Sequence, residues 1–172
     1  EGFIRGYARF AKLPMPQLAG HEWAPFVARL RSQIDFVLEG ALPQAPARFD
    51  AAQLEQALLN LLKNAHEAGG PAQAVTLSIR QLGEAIRIEV RDGGPGMSEA
   101  VLNQALLPFY STKRGGTGLG LALTREIAEA HGGRVSLSNG PQGGLSVVIH
   151  LPDAAAPVRA GSGTGPGLSR SS

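Results

Sequence analysis

Residues 49–68, FDAAQLEQALLNLLKNAHEA, read as an amphipathic helix whose start is written in its first residues. Asp50 is placed to accept from the free N–H groups of the first turn, Gln53 to reach back to the cap, and Phe49 to pack on Leu54 as a staple. The helix is therefore expected to begin near Ala51. At roughly 100° per residue, Leu54, Leu58, Leu61, Leu62 and Ala65 gather on one face, and Asn60, Lys63, Asn64 and Glu67 on the opposite one. Asparagine is a poor residue for a helix interior, because its amide competes for backbone hydrogen bonds. Taken alone, two of them at i and i+4 fit a solvated outer face. The stretches that follow supply the other reading, a polar row turned towards a ligand.

The chain has 172 residues with 43% hydrophobic content, enough for one core with appendages and a squeeze for two domains. The formal charge is only +2, and no run of Lys or Arg with interleaved aromatics occurs, so nucleic acid is not an implied partner. The absence of cysteine excludes disulfides and thiolate metal sites and suits a reducing compartment. No apolar run approaches the ~18 residues of a membrane span, and the start has no signal-peptide pattern. The opening at Glu1, without Met and already amphipathic, is expected of a piece cut from a longer protein.

Ahead of the asparagine helix, residues 2–13 place Phe3, Tyr7 and Phe10 at helical spacing, and LPMP then stops that helix, since a residue before proline avoids the α region. A linker carrying His21 and Glu22 leads to a short helix at about 24–32, a strand at 34–39 and an Ala- and Pro-rich loop. Beyond the helix, AVTLSIRQL and AIRIEVRD alternate with period two around LGEA and read as an antiparallel pair. Asp92 closes the second strand and meets GGPGM, whose glycines would let backbone approach a flat ligand closely. Residues 98–106 read as a short helix capped by Ser98. The glycines 116, 118 and 120 open a helix with Leu119, Leu123, Ile127 and Ala130 on one side, ended by Gly132 and Gly133. Free N–H groups and the dipole at such a helix start favour anions, and Lys113 and Arg114 just before it tilt the balance from a plain flexible turn towards phosphate. RVSLSNG and GLSVVIHLP form a last hairpin. Residues 153–172 are low-complexity and expected to be disordered.

Four segments, NLLKNAHEA, DGGPGM, LPFYSTK and GTGLGLAL, occur in one order. That order resembles the N, G1, F and G2 boxes of the catalytic ATP-binding domain of sensor histidine kinases, within the superfamily that also holds gyrase, Hsp90 and MutL. The opening YARFAKLPMP and the compact STKRGGTG stretch look most like the nitrogen-regulation type of sensor kinase. The resemblance covers residues 21–152. It implies an α/β sandwich of the Bergerat type, with a mixed, mostly antiparallel sheet and helices on one face. Residues 1–18 would be the end of a dimerisation helix, 19–152 the catalytic domain, and 153–172 a tail.

Carried over by residue, the resemblance implies that Asn64 ligates Mg²⁺ through its amide oxygen, with Asn60 beside it near the metal waters and phosphates. Asp92 would accept the adenine amino group, Gly94 and Gly96 would shape the adenine pocket, and Lys113 would be a lid cation. Gly116, Gly118 and Gly120 would wrap the triphosphate, with Lys63, Met97, Phe109, Thr112, Thr117, Leu119 and Leu121 completing the ATP site. Magnesium prefers oxygen ligands and keeps waters and phosphates in its shell, so one or two amide oxygens suffice. Hydrolysing members of the superfamily carry a glutamate one turn before the metal asparagine. Here that position is Asn60, which cannot act as a base, so hydrolysis should be slow. Glu67 departs from the pattern of kinases that place a phosphate-touching lysine there, leaving Lys63 or Lys113 as substitutes.

The implied activity is transfer of the ATP γ-phosphate to a histidine of a dimerisation and phosphoacceptor domain, for relay to a response regulator. The parent is expected to be a homodimer, cytoplasmic or anchored to the inner membrane. His21 is not that acceptor, since it follows Gly20 in a linker instead of standing on a long helix. His66, His131 and His150 fit no ligand spacing, and the helix dipole accounts for His131. The rival from another class is a nucleotide-binding regulatory module without phosphotransfer, and a serine kinase acting on an antagonist protein is disfavoured by the remnant of a dimerisation helix.

Overall fold

The computed structural model describes residues 13–107 and 120–152. In chain order the elements are β1 (Ala19–His21), α1 (Trp23–Arg31), β2 (Val37–Leu38), β3 (Ala47–Phe49), α2 (Ala51–Glu67), β4 (Thr76–Leu82), β5 (Ala85–Arg91), α3 (Glu99–Gln104), α4 (Gly120–Ala130), β6 (Arg134–Asn139) and β7 (Leu145–Pro152). A 3₁₀ turn at Ala72–Ala74 joins α2 to β4. The expected short helix, hairpins and asparagine helix all form, with ends within a residue or two of expectation; the strand expected over 34–39 keeps only Val37 and Leu38. Of residues 1–18, only 13–18 are described, and they carry no helix. The expected tail at 153–172 lies outside the described residues.

Five strands form one mixed sheet in the order β2-β4-β5-β7-β6, parallel between β2 and β4 and antiparallel elsewhere. Period-two alternation puts Leu77 and Ile79, then Ile86, Ile88 and Val90, then Val147, Ile149 and Leu151 on one face, all in a single core cluster. That cluster also holds Leu54, Leu58, Leu61 and Leu62 of α2 and Leu123 and Ile127 of α4. Helices therefore cover one face of the sheet, and each fully buried Leu or Ile contributes about 1.5–3 kcal/mol of transfer free energy.

At the far end, Trp23 and Phe26 pin α1 onto β3. The Trp23 ring stacks on Phe49 at 4.8 Å, and Phe26 meets Phe49 edge-on at 5.1 Å. The linker expected around His21 is instead strand β1, paired antiparallel with β3, and the His21 ring lies 5.0 Å from Phe49. A histidine in a short strand is not on the long helix that a phosphoacceptor requires.

The start of α2 corrects one detail. Asp50 Oδ1 accepts from the N–H of Gln53 at 3.0 Å, and Oδ2 accepts from the N–H of Gln17 at 2.8 Å. Gln53 does not reach back to the cap. It is buried, and its Nε2 donates to the carbonyl of Pro14 at 2.8 Å, tying the incoming segment to α2. The N–H of Asp50 donates instead to His131 Nε2 at 3.1 Å, while His131 Nδ1 bonds the Ile127 carbonyl at 2.7 Å. His131 is thus a strut between the end of α4 and the cap of α2, which goes beyond the dipole role read from its position.

Burial pushes the Asp50 carboxyl up, but the N–H groups of Gln17 and Gln53, with smaller contributions from His131 and the Ala52 N–H, together more than offset this and lower it from its ordinary value. A depressed folded pKa gives stability that is present above the unfolded value, about 3.9, and lost as pH falls through the folded value. Asp50→Ala is therefore expected to cost about 1 kcal/mol at neutral pH. Urea unfolding should show that deficit shrinking as the pH is lowered below 4; a deficit equal at all pH values would remove the charge from this account.

Candidate functional site

The polar side of α2 is not simply solvated. Asn60 and Asn64 are half-buried, and only Lys63 and Glu67 are exposed. Asn64 lies against the start of α4, since a β-carbon built on Gly120 would stand 3.8 Å from Asn64 Nδ2. The first turn of α4 is fixed there by Thr124, fully buried, whose Oγ1 donates to the Gly120 carbonyl at 3.1 Å. Leu121, half-buried, packs against the core cluster.

At the end of β5, Asp92 is locked onto the β6–β7 hairpin. Its N–H donates to the Leu145 carbonyl at 3.1 Å, and its Oδ1 accepts from the N–H groups of Leu145 at 3.1 Å and Gly94 at 2.9 Å. One carboxylate oxygen thus orients the side chain. The other, Oδ2, makes no hydrogen bond with a described residue. The half-buried residue therefore has one carboxylate oxygen uncommitted to any described residue.

The glycines of residues 93–96 have a use that the sequence pattern did not disclose. A β-carbon on Gly94 would fall 2.6 Å from the Ala68 carbonyl oxygen, so glycine is what lets this loop lie flat on the end of α2. Gly96 has φ +74, and a β-carbon there would meet Asn139 Oδ1 at 2.5 Å. Asn139, the last residue of β6, clamps the loop with both ends of its amide: Oδ1 accepts from the N–H of Met97 at 2.8 Å, and Nδ2 donates to the Met97 carbonyl at 2.7 Å. Close approach here is first an approach to the protein's own backbone, and it fixes where Asp92 and Met97 stand. The sequence marks Asn139 only as a hairpin residue, because its partner lies 42 positions away.

The second half of α2 is therefore bracketed. Asn64 meets Gly120, and Ala68, about 6 Å further along the axis, meets Gly94. Asn64 thus meets the first turn of α4, and the loop that follows Asp92 lies on the end of α2. Phe109, Thr112, Lys113, Gly116, Thr117, Gly118 and Leu119, also expected there, lie outside the described residues. Among the described residues no group of three or more His, Cys, Asp or Glu gathers as a metal site. Nor, among them, is any helix long and apolar enough to cross a membrane.

Comparison with known proteins agrees with this layout. Residues 49–155 match the family described as histidine kinase-, DNA gyrase B-, and HSP90-like ATPase. The C4-dicarboxylate transport sensor protein DctS of Rhodobacter capsulatus is 37% identical over 90% of this chain and 26% of its own length. Nitrogen regulation protein NtrY of Azorhizobium caulinodans is 33% identical over 80% of this chain and 20% of its own. The chain thus spans about a quarter or less of these relatives. Among solved structures, the catalytic domain of histidine kinase ThkA superposes with a TM-score of 0.71 at 25% identity, covering 80% of this chain and 96% of that one. Full-length ShkA, solved in complex with AMPPNP, gives 0.75 at 24% identity, covering 92% and 37%.

Proposed function

Since the chain belongs to the histidine kinase-, DNA gyrase B- and HSP90-like ATPase family, we propose that it is the ATP-binding catalytic part of a sensor histidine kinase. It would transfer the ATP γ-phosphate to a histidine of a dimerisation domain. The observation that carries this reading is the setting of α2: the Asn64 carboxamide against the start of α4, the Gly94 loop on its end, and an oriented Asp92 with one oxygen to spare.

Asn64 would offer its amide oxygen to Mg²⁺, with Asn60 towards the metal waters and phosphates; the carboxamide donor set suits a hard cation that keeps oxygen ligands from water and phosphate. Bound there, the ion would neutralise charge on the phosphates. Asp92 Oδ2 would accept from the exocyclic amine of adenine, held in place because Oδ1 is fixed by Leu145 and Gly94. Met97, Phe109, Leu119 and Leu121 would supply apolar lining, while Lys63, Thr112, Lys113, Gly116, Thr117, Gly118 and Gly120 would serve the phosphates. Asn60 cannot take a proton from water, so ATP is kept for transfer and hydrolysis stays slow. The name of DctS, a transport sensor protein, supports the sensor part of this reading; relay to a response regulator from a homodimeric parent, with this part in the cytoplasm, belongs to the same proposal. Similarity to a dicarboxylate transport sensor protein as well as to a nitrogen regulation protein carries the assignment no further than sensor kinase.

The test is radiolabel transfer from γ-labelled ATP. The chain alone should bind ATP yet fail to label itself, and a dimerisation hairpin from a related kinase, added in trans, should become labelled, slowly for want of a tether. Strong self-labelling that disappears in His21→Ala would overturn the assignment of the acceptor.

A further inference from the structure

The second face of the sheet, opposite the core cluster, carries a row of three arginines and a histidine that the site above does not use. Cross-strand register sets Arg80 beside Arg87, Arg87 beside His150, and His150 beside Arg134. Residues in register share a face, so four basic side chains stand abreast over four strands, about 14 Å from end to end at the usual strand spacing. Arg91 stands four residues further along β5 on the same face, beyond Glu89. On the strands of this face the one acid is Glu89, buried between Arg87 Nη1 at 3.1 Å, Arg91 Nε at 3.3 Å and the Ser146 hydroxyl. Arg80 and Arg134 are exposed and form no ion pair with a described residue. Like charges directly opposite in a sheet destabilise it, and Arg80 and Arg87 form such a pairing, with Arg134 on the far side of His150, in a chain whose formal charge is only +2. Burial, then Arg134 and Arg87, push the His150 imidazole below its ordinary pKa, which is the same repulsion seen from the ring.

Beside this row, in register, lie Leu82, Ala85 and Pro152, an apolar strip in which Leu82 is 54% exposed. We propose that this face docks an acidic protein segment whose carboxylates pair with Arg80, Arg87 and Arg134 and whose apolar side chain rests on Leu82 and Pro152. Arginine forks match carboxylates in bidentate geometry. Nucleic acid fits less well, because the face offers no aromatic platform beyond His150 and holds a carboxylate at its centre. A strip of this size makes a transient, salt-sensitive contact, not a permanent interface.

The proposal is independent of the nucleotide assignment and is tested on the 172-residue chain. The variant is Arg80→Gln with Arg134→Gln, which spares Glu89. The probe is a fluorescent twelve-residue peptide of Glu-Glu-Leu repeats at low salt, against its lysine counterpart, a dT oligonucleotide and phosphatidylserine vesicles. The acidic peptide should bind, shift the amides of β4, β5, β7 and β6, and lose roughly five- to tenfold in affinity in the variant. The variant's melting midpoint should be equal to or above that of the parent, because repulsion is relieved. Equal peptide affinity in both proteins, no peptide binding at low salt, tighter binding of the oligonucleotide or vesicles, or a lowered midpoint would each overturn it.

Discussion

Asn64→Ala is expected to weaken Mg²⁺-dependent ATP binding by about a hundredfold or more, the order expected when a charge-assisted contact is removed from a half-buried site, while the protein stays folded. The fold should survive because Leu61, Leu62 and Ala65, not Asn64, enter the core, and alanine is the better helix former at that position. Asn64 stands against Gly120, so truncation also opens space beside the first turn of α4 without removing a core contact. Calorimetric titration of ATP with Mg²⁺, with circular dichroism as the folding control, decides it. Undiminished affinity in a folded variant would take the metal from Asn64.

Asp92→Asn should act differently. The new amide keeps an oxygen where Oδ1 accepts from Leu145 and Gly94, so the loop stays anchored, but it places an NH₂ where Oδ2 stood. Two donors then face each other at the adenine amine. The expected loss is about 2 kcal/mol, near thirtyfold, for adenine nucleotides, and much less for GTP, which carries a carbonyl at that ring position. Comparing ATP and GTP on both proteins separates the outcomes; equal and small losses would leave Asp92 as an anchor for the hairpin alone.

Local signals carried much of this architecture. The Asp50 cap, the apolar face of α2, the period-two strands and the turn chemistry of LGEA and PQGG are properties of adjacent residues, and each forms close to where the sequence places it. The pairing of elements is a different matter. Periodicity reports which face is buried, not what covers it, so neither the insertion of β7 between β5 and β6 nor the parallel step from β2 to β4 follows from it. The same limit applies to single residues. Gln53 has a cap-box position, yet the chain entering at Pro14 gives its amide a buried partner, and His131 takes its place at the cap. Asn139 and Gly144 shape the Asp92 loop from the far hairpin: a β-carbon on Gly144, at φ +78, would fall 2.0 Å from the Asp92 carbonyl oxygen. Nothing near them in sequence signals that contact.

The most direct test of the central claim, that nucleotide sits between α2, the Asp92 loop and the start of α4, is an amide shift map of the ¹⁵N-labelled chain titrated with ATP and Mg²⁺. The account predicts saturable shifts at Asn60, Asn64, Asp92, Gly94, Met97 and Gly120, with Arg80 and Arg134 on the opposite sheet face unmoved. Saturable shifts centred elsewhere, or none at saturating nucleotide, would contradict it.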